Sequence, residues 1–352
     1  AKQAVSHVLL TTPESKCPST LEYGTQEMVC GGGIWTPGGP QLYPTADSFE
    51  IFVPTGNGQV DLARHDYANT VMRVQPDLQF DDGCDKQLCK NFQPKQPSRD
   101  CIASCKNLFV PRPPPDNLDL KPSNRECDDK TFGECLAWMD YDLGASTPIK
   151  AKLKNGQQVL VQPGKEGAVY LIDADHLGTQ YDRLQLVDVC GTPTDTCIAS
   201  WMGMIVTQPV LTYRHDDPII IIPAFVPDKT HPAGVFALTV TLENGRPKLK
   251  QVWQKPNTAS GKSLGFRSHP SLPVISEGFD KEPIVWVVDI GPKGTLYGIR
   301  VEDGAVMVEQ PLLGAGRQLS APVIHENIIY LASIMPSTGK TFVEAYRIAS
   351  RP

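Results

Sequence analysis

Ser146-Thr147-Pro148, Gln158-Val159-Leu160-Val161, Gly164-Lys165-Glu166-Gly167 and Ala168-Val169-Tyr170-Leu171-Ile172-Asp173 follow one another in the stretch that ends at Gly178. The order is a Ser/Thr-x-Pro turn, an apolar strand, a Gly-bearing turn, and a second strand closing on aromatic and aliphatic residues. The same phrase restarts at Thr207-Gln208-Pro209, Ser268-His269-Pro270 and Ser320-Ala321-Pro322, and a degenerate first copy starts near Trp35-Thr36-Pro37. The anchors Pro148, Pro209 and Pro270 are 61 residues apart, and Pro322 follows after 52. A repeat of this size with only strands inside it predicts an all-β fold of radially arranged sheets, the blades of a propeller.

Reading outward, the first copy places a strand at Glu50-Ile51-Phe52-Val53, a turn at Thr55-Gly56-Asn57-Gly58, and another strand at Asn69-Thr70-Val71-Met72-Arg73-Val74. Pro218-Ile219-Ile220-Ile221-Ile222-Pro223 and Pro283-Ile284-Val285-Trp286-Val287-Val288-Asp289 are apolar on both faces, as expected of strands packed between neighbouring sheets. Lys250-Gln251-Val252-Trp253 reads as an outer strand with its Trp between blades. The last copy holds about three strands, and Ala4 to Leu10 reads as one lone strand. That strand either closes the last blade, giving a five-bladed ring, or belongs to an earlier blade. The expected partition is 1–30 outer strand and linker, 31–77 blade, 78–135 insertion, then blades at 136–200, 201–262, 263–314 and 315–352. The insertion carries six cysteines, Pro111-Arg112-Pro113-Pro114-Pro115 and little apolar periodicity.

Composition narrows the function classes. A formal net charge of -6 with no basic run argues against a nucleic-acid surface. No stretch approaches the ~20 apolar residues of a membrane span. The ten cysteines fall as close neighbours in polar loops, which predicts cystines and an oxidising compartment: secreted, periplasmic or bacterial cell surface. Neighbour pairing gives Cys17–Cys30, Cys84–Cys89, Cys101–Cys105, Cys127–Cys135 and Cys190–Cys197. Within the insertion three pairings of Cys84, Cys89, Cys101 and Cys105 remain open, and a zinc site from these four is the competing expectation. The sequence has no Gly-x-Ser-x-Gly elbow, phosphate loop or His-Glu-x-x-His motif, and its histidines are scattered over different copies.

Gly31-Gly32-Gly33-Ile34-Trp35, Thr55-Gly56-Asn57, Asp140-Tyr141-Asp142 and Gly164 to Asp173 together resemble the quinoprotein dehydrogenases, propellers that bind pyrroloquinoline quinone. The resemblance covers about Gly31 to Gly178, interrupted by the insertion, and the later repeats more loosely. It implies an eight-bladed ring of which this chain carries about five blades, with roughly three lying upstream or on another chain. It implies calcium at Asn57 and Asp140, Asp140 as catalytic base with Asp142 competing, and cofactor contacts from Lys165 and Trp35. The chain has no adjacent Cys-Cys and no Cys-x-x-Cys-His, so the family's vicinal cystine and a covalent haem are not expected.

Two functions follow as expectations. One is a secreted or cell-surface binding or structural module that holds other protein chains through its stapled loops. The other is an alcohol or polyol dehydrogenase dependent on pyrroloquinoline quinone and calcium.

Overall fold

The computed structural model describes residues 7–13, 31–58, 60–94, 96–114, 116–117, 127–187, 205–224, 234–255, 266, 270–277, 282–290, 294–316 and 319–348. In chain order come β1 (Gln41–Pro44), β2 (Phe49–Pro54), the short pair β3 (Val60–Asp61) and β4 (Asp66–Tyr67), and β5 (Val71–Val74). Helix α1 (Arg99–Ser104), β6 (Leu108–Phe109) and helix α2 (Phe132–Trp138) follow. Strands β1, β2, β5 and β6 form the first four-stranded antiparallel sheet.

The repeats then fold as meanders. The second sheet is β7 (Ile149–Lys152), β8 (Gln158–Pro163), β9 (Ala168–Asp173) and β10 (Gln180–Gln185). The third is β11 (Val210–Arg214), β12 (Asp217–Ala224), β13 (Gly234–Glu243) and β14 (Arg246–Lys255). The fourth is β15 (Val274–Glu277), β16 (Pro283–Asp289), β17 (Thr295–Arg300) and β18 (Val306–Pro311). The last has three strands, β19 (Val323–His325), β20 (Ile328–Ile334) and β21 (Thr341–Arg347).

Side-chain alternation explains why these sheets stack as blades. Successive strand residues point to opposite faces. In β12, Ile220 and Ile222 enter the core shared with the second sheet, while Ile219 and Ile221 enter the core shared with the fourth. Strand β16 repeats the device: Val285 and Val287 face the third sheet, and Ile284, Trp286 and Val288 face the last. An uninterrupted apolar strand is therefore the signature of a sheet covered on both sides. Trp253 on β14 ties two sheets directly, its indole N–H donating to the Val301 carbonyl at 2.7 Å. The first strands lie against one another, since Tyr43 Oη on β1 accepts from Lys150 N at 2.8 Å and Tyr213 Oη on β11 accepts from Lys152 N at 3.0 Å. The chain is an all-β propeller.

The Ser/Thr-x-Pro turns join the blades. Thr36 and Thr147 share a hydroxyl hydrogen bond of 2.6 Å, and Gly38 N donates to Thr147 Oγ1 at 3.0 Å. Thr147 N donates to the Thr207 carbonyl at 2.9 Å, and Ser146 Oγ donates to the Ile205 carbonyl at 3.1 Å. Leu272 N makes the corresponding link to the Ser320 carbonyl at 3.2 Å. The repeat thus marks the seam between successive sheets.

Several expectations change. His7 to Leu10 carry no strand; Thr11 and Thr12 instead bond the carbonyls of Gly32 and Gly31. The segment 78–135 is more than an insertion, because it supplies β6, and α2 runs across the expected boundary at 136. The neighbour pairings Cys84–Cys89 and Cys101–Cys105 are replaced by Cys84–Cys105 and Cys89–Cys101. The reason is α1: it places Cys101 and Cys105 one turn apart on one side, and the 84–89 loop folds back across that side so that each meets a loop partner. All four sulfurs of the expected zinc site are thereby consumed in cystines. Cys127 and Cys135 are joined. Cys17–Cys30 and Cys190–Cys197 lie outside the described residues, as does Ala4 to Ser6. Among the described residues no cysteine is free, and no helix is long and apolar enough to cross a membrane.

The stapled unit is keyed into the second sheet. Gly178 N donates to the Cys105 carbonyl at 2.8 Å, and a Cβ at Gly178 would lie 2.5 Å from the Ile102 carbonyl oxygen, so only glycine permits this approach. Arg73 on β5 spans the same junction, reaching Asn107 Oδ1 at 2.7 Å and the Ala174 carbonyl at 3.0 Å.

Candidate functional site

The Gly31–Gly33 strip and the Thr55–Gly58 turn are laid together by backbone bonds: Gly32 N to the Asn57 carbonyl at 2.9 Å, and Gly56 N to the Gly33 carbonyl at 2.7 Å. A Cβ on Gly31 would sit 1.4 Å from the Asn57 oxygen, and one on Gly56 would meet Gly33 O, Asp142 Oδ1 and Trp35 Nε1 within 3.2 Å. Gly31 and Gly56 are therefore fixed by close packing, which brings Trp35 beside Gly56.

The loop after α2 delivers the two aspartates. Asp140 takes a left-handed conformation (φ 57°), which aspartate tolerates better than most residues. Tyr141 N returns to the Leu136 carbonyl at 2.9 Å, and Gly144 N donates to Thr55 O at 2.9 Å. Asn69, also left-handed at φ 52°, clamps this loop by accepting from Leu143 N at 2.8 Å. The β8–β9 turn delivers Lys165, whose N–H donates to the Asp142 carbonyl at 3.1 Å.

The result is one cluster. Lys165 Nζ lies 2.7 Å from Asp140 Oδ2 and 3.3 Å from Asp142 Oδ2. Asp142 also accepts the Asn57 backbone N–H, and Asn57 Nδ2 reaches the Ala137 carbonyl at 2.9 Å and Asp140 Oδ1 at 3.4 Å. Lys165 Nζ is 5.8 Å from the Trp35 ring centroid. Lys165 and Asp142 are 2 % and 4 % exposed, whereas the Asp140 side chain is 42 % exposed and Trp35 40 %. The two carboxylates thus differ in role. Asp142 is a buried anchor, and Asp140 is the one that an incoming molecule can touch. Burial raises the Asp142 carboxyl to about 6, an effect that outweighs the opposing attraction of Lys165, and the nearby Asp140 charge adds to the rise.

All five residues expected at the site, Trp35, Asn57, Asp140, Asp142 and Lys165, lie together. Sequence reasoning passed over Asn69, which only its turn position in Tyr67-Ala68-Asn69-Thr70 signals. The calcium donor set implied by the resemblance does not assemble in this arrangement. Asn57 Oδ1 accepts from Gly58 N at 2.8 Å and its amide nitrogen, not its oxygen, faces Asp140, an orientation that both bonds specify. The Lys165 ammonium stands between the two carboxylates. Among the described residues no group of three or more His, Cys, Asp or Glu is arranged around a common centre, and calcium takes six to eight oxygens.

No family model matches the sequence. No curated protein matches it either. Among solved structures, a quinohemoprotein alcohol dehydrogenase from Pseudomonas putida HK5 is similar over 86 % of this chain and 45 % of its own, at 12 % identity and a TM-score of 0.47. The chain therefore spans less than half the length of that protein. BamB from Moraxella catarrhalis is similar over 86 % of this chain and 68 % of its own, at 12 % identity and a TM-score of 0.30. The β-propeller domain of Cps50 (Swd1) from Myceliophteria thermophila is similar over 86 % and 82 %, at 11 % identity and a TM-score of 0.38. Likenesses this remote carry no functional weight, and the propeller assignment rests on the stacked meanders themselves.

Proposed function

We propose that the chain is a ligand-binding propeller of an oxidising compartment, secreted, periplasmic or at a bacterial cell surface, and that it binds where Trp35 and Asp140 reach solvent. One observation carries this reading: an accessible aromatic ring and an accessible carboxylate stand over a buried lysine. An ionised carboxylate only accepts hydrogen bonds, so it suits hydroxyl donors, and an indole offers an apolar face to a ring's C–H groups. The ligand class that matches both is a small hydroxylated molecule, a polyol or sugar. Lys165 and Asn57 hold Asp140 in place, and the cystines support the compartment proposed. Other protein chains are the partners proposed for the last sheet, which presents Val323 and Val343 to solvent.

The test is calorimetric titration of the whole chain with a panel of polyols and monosaccharides. Saturable binding is expected, weakened about tenfold or more by Asp140→Asn or Trp35→Ala, which corresponds to ~1.4 kcal/mol or more. Variants that bind as the parent does would place the ligand elsewhere.

A second reading, an alcohol or polyol dehydrogenase dependent on pyrroloquinoline quinone and calcium, is favoured by the Asp140–Lys165 pair beside Trp35. Adding the quinone and calcium and following both a retained absorbance band and dye-linked alcohol oxidation decides it. Turnover that disappears in Asp140→Asn would make oxidation the function.

A further inference from the structure

A cavity of about 260 Å³ opens between the stapled segment, the β3–β4 hairpin and α2. Its walls include Val60, Ile102, Val110, Phe132 and Leu136, all buried and apolar. Two cations interrupt this lining, Arg112 and Arg99. Arg112 is held rigidly. It lies between Pro111 and Pro113, whose rings fix their own backbone and restrict the residue before each. Gln180 Nε2 donates to the carbonyls of Arg112 and Pro113 at 3.1 and 3.3 Å. Arg112 Nη2 donates to the Gly178 carbonyl, but Nη1 is buried with no hydrogen-bond partner among the described residues.

A buried guanidinium nitrogen without an acceptor is costly, because desolvation is not repaid. Among the described residues the charged group that bears on Arg112 is Arg99, a like charge, and burial together with that repulsion lowers the guanidinium to about 10. Arg112 is still a cation at neutral pH. A cavity with apolar walls and two guanidinium-bearing side chains in its lining is complementary to a small anion with an apolar body. We propose that this cavity is a binding site for a small hydrophobic carboxylate, with Arg112 as its counter-ion. The volume lies just below the range of drug-sized pockets, about 300 Å³ and upward, which limits the body to roughly one ring. The cavity adjoins the Trp35–Asp140 cluster, since Gly58 and Asn69 line it, but its test uses a different ligand and does not depend on that assignment.

Benzoate is the probe, with neutral benzamide as its isostere, titrated into the full chain while backbone amide resonances are followed by NMR. Saturable benzoate binding is expected, with shifts centred on Ile102, Val110 and Gly133 at the cavity wall. Benzamide is expected to bind about tenfold or more weaker, and Arg112→Gln to weaken benzoate by a similar factor while melting as a folded protein. Absence of saturation, equal affinity for the two probes, or shifts centred away from the cavity would each overturn the proposal; the last two readouts need no variant at all.

Discussion

Asp142 is buried beside Lys165, and burial outweighs that cation's pull. Its carboxyl binds a proton more tightly in the folded chain, at about 6, than at its ordinary value of 3.8. Folding is therefore favoured by this group below about pH 4, and that contribution is lost as pH rises through about 6. Asp142→Asn removes the titration. Melting temperature plotted against pH is expected to lose its downward slope across that window, and an unchanged slope would assign it to another group. Glu166, buried beside Arg183 and hydrogen-bonded by Tyr170, is likewise pushed up by burial against the opposing pull of Arg183. Arg183→Met leaves that carboxylate without its counter-charge and is expected to destabilise by about 3–5 kcal/mol, read by denaturant unfolding.

At the scale of elements, the strands were legible where their apolar runs were long. Ile219 to Ile222 announces a doubly covered strand, and its residues do divide between two cores. Ile221→Ala, at the centre of β12, is expected to cost about 2–5 kcal/mol in chemical denaturation. A loss under 1 kcal/mol would mean that the third and fourth sheets do not pack through this strand. Strand β6 was not legible, since two residues cannot display an alternation. The cystine pairing failed for a related reason. Proximity in sequence stands for proximity in space only where the chain is extended, and α1 coils between Cys101 and Cys105. Asp140 and Lys165 were found through motif likeness, whereas Asn69, which positions their loop, has no motif. Removing the inner cystine with Cys89→Ser and Cys101→Ser is expected to cost about 3 kcal/mol in thermal unfolding, the value for a closed loop of this order.

At the scale of the molecule, the sheets among the described residues lean on one another through shared cores, and Ser/Thr-x-Pro turns stitch the first to the second, the second to the third and the fourth to the last. Arg112 shows what sequence could not supply at this scale. The polyproline frame reads as a spacer, and only the fold sets its arginine against Gly178 and over a cavity. The segment from 78 to 135 closes the first sheet with β6, and its helix rests on a glycine of the second. Such a piece is a keystone shared by two blades. Excising it or grafting a foreign peptide in its place would uncouple the neighbours that it spans, so engineers seeking a tolerant position for a tag should choose the Asn244-Gly245 hairpin tip instead.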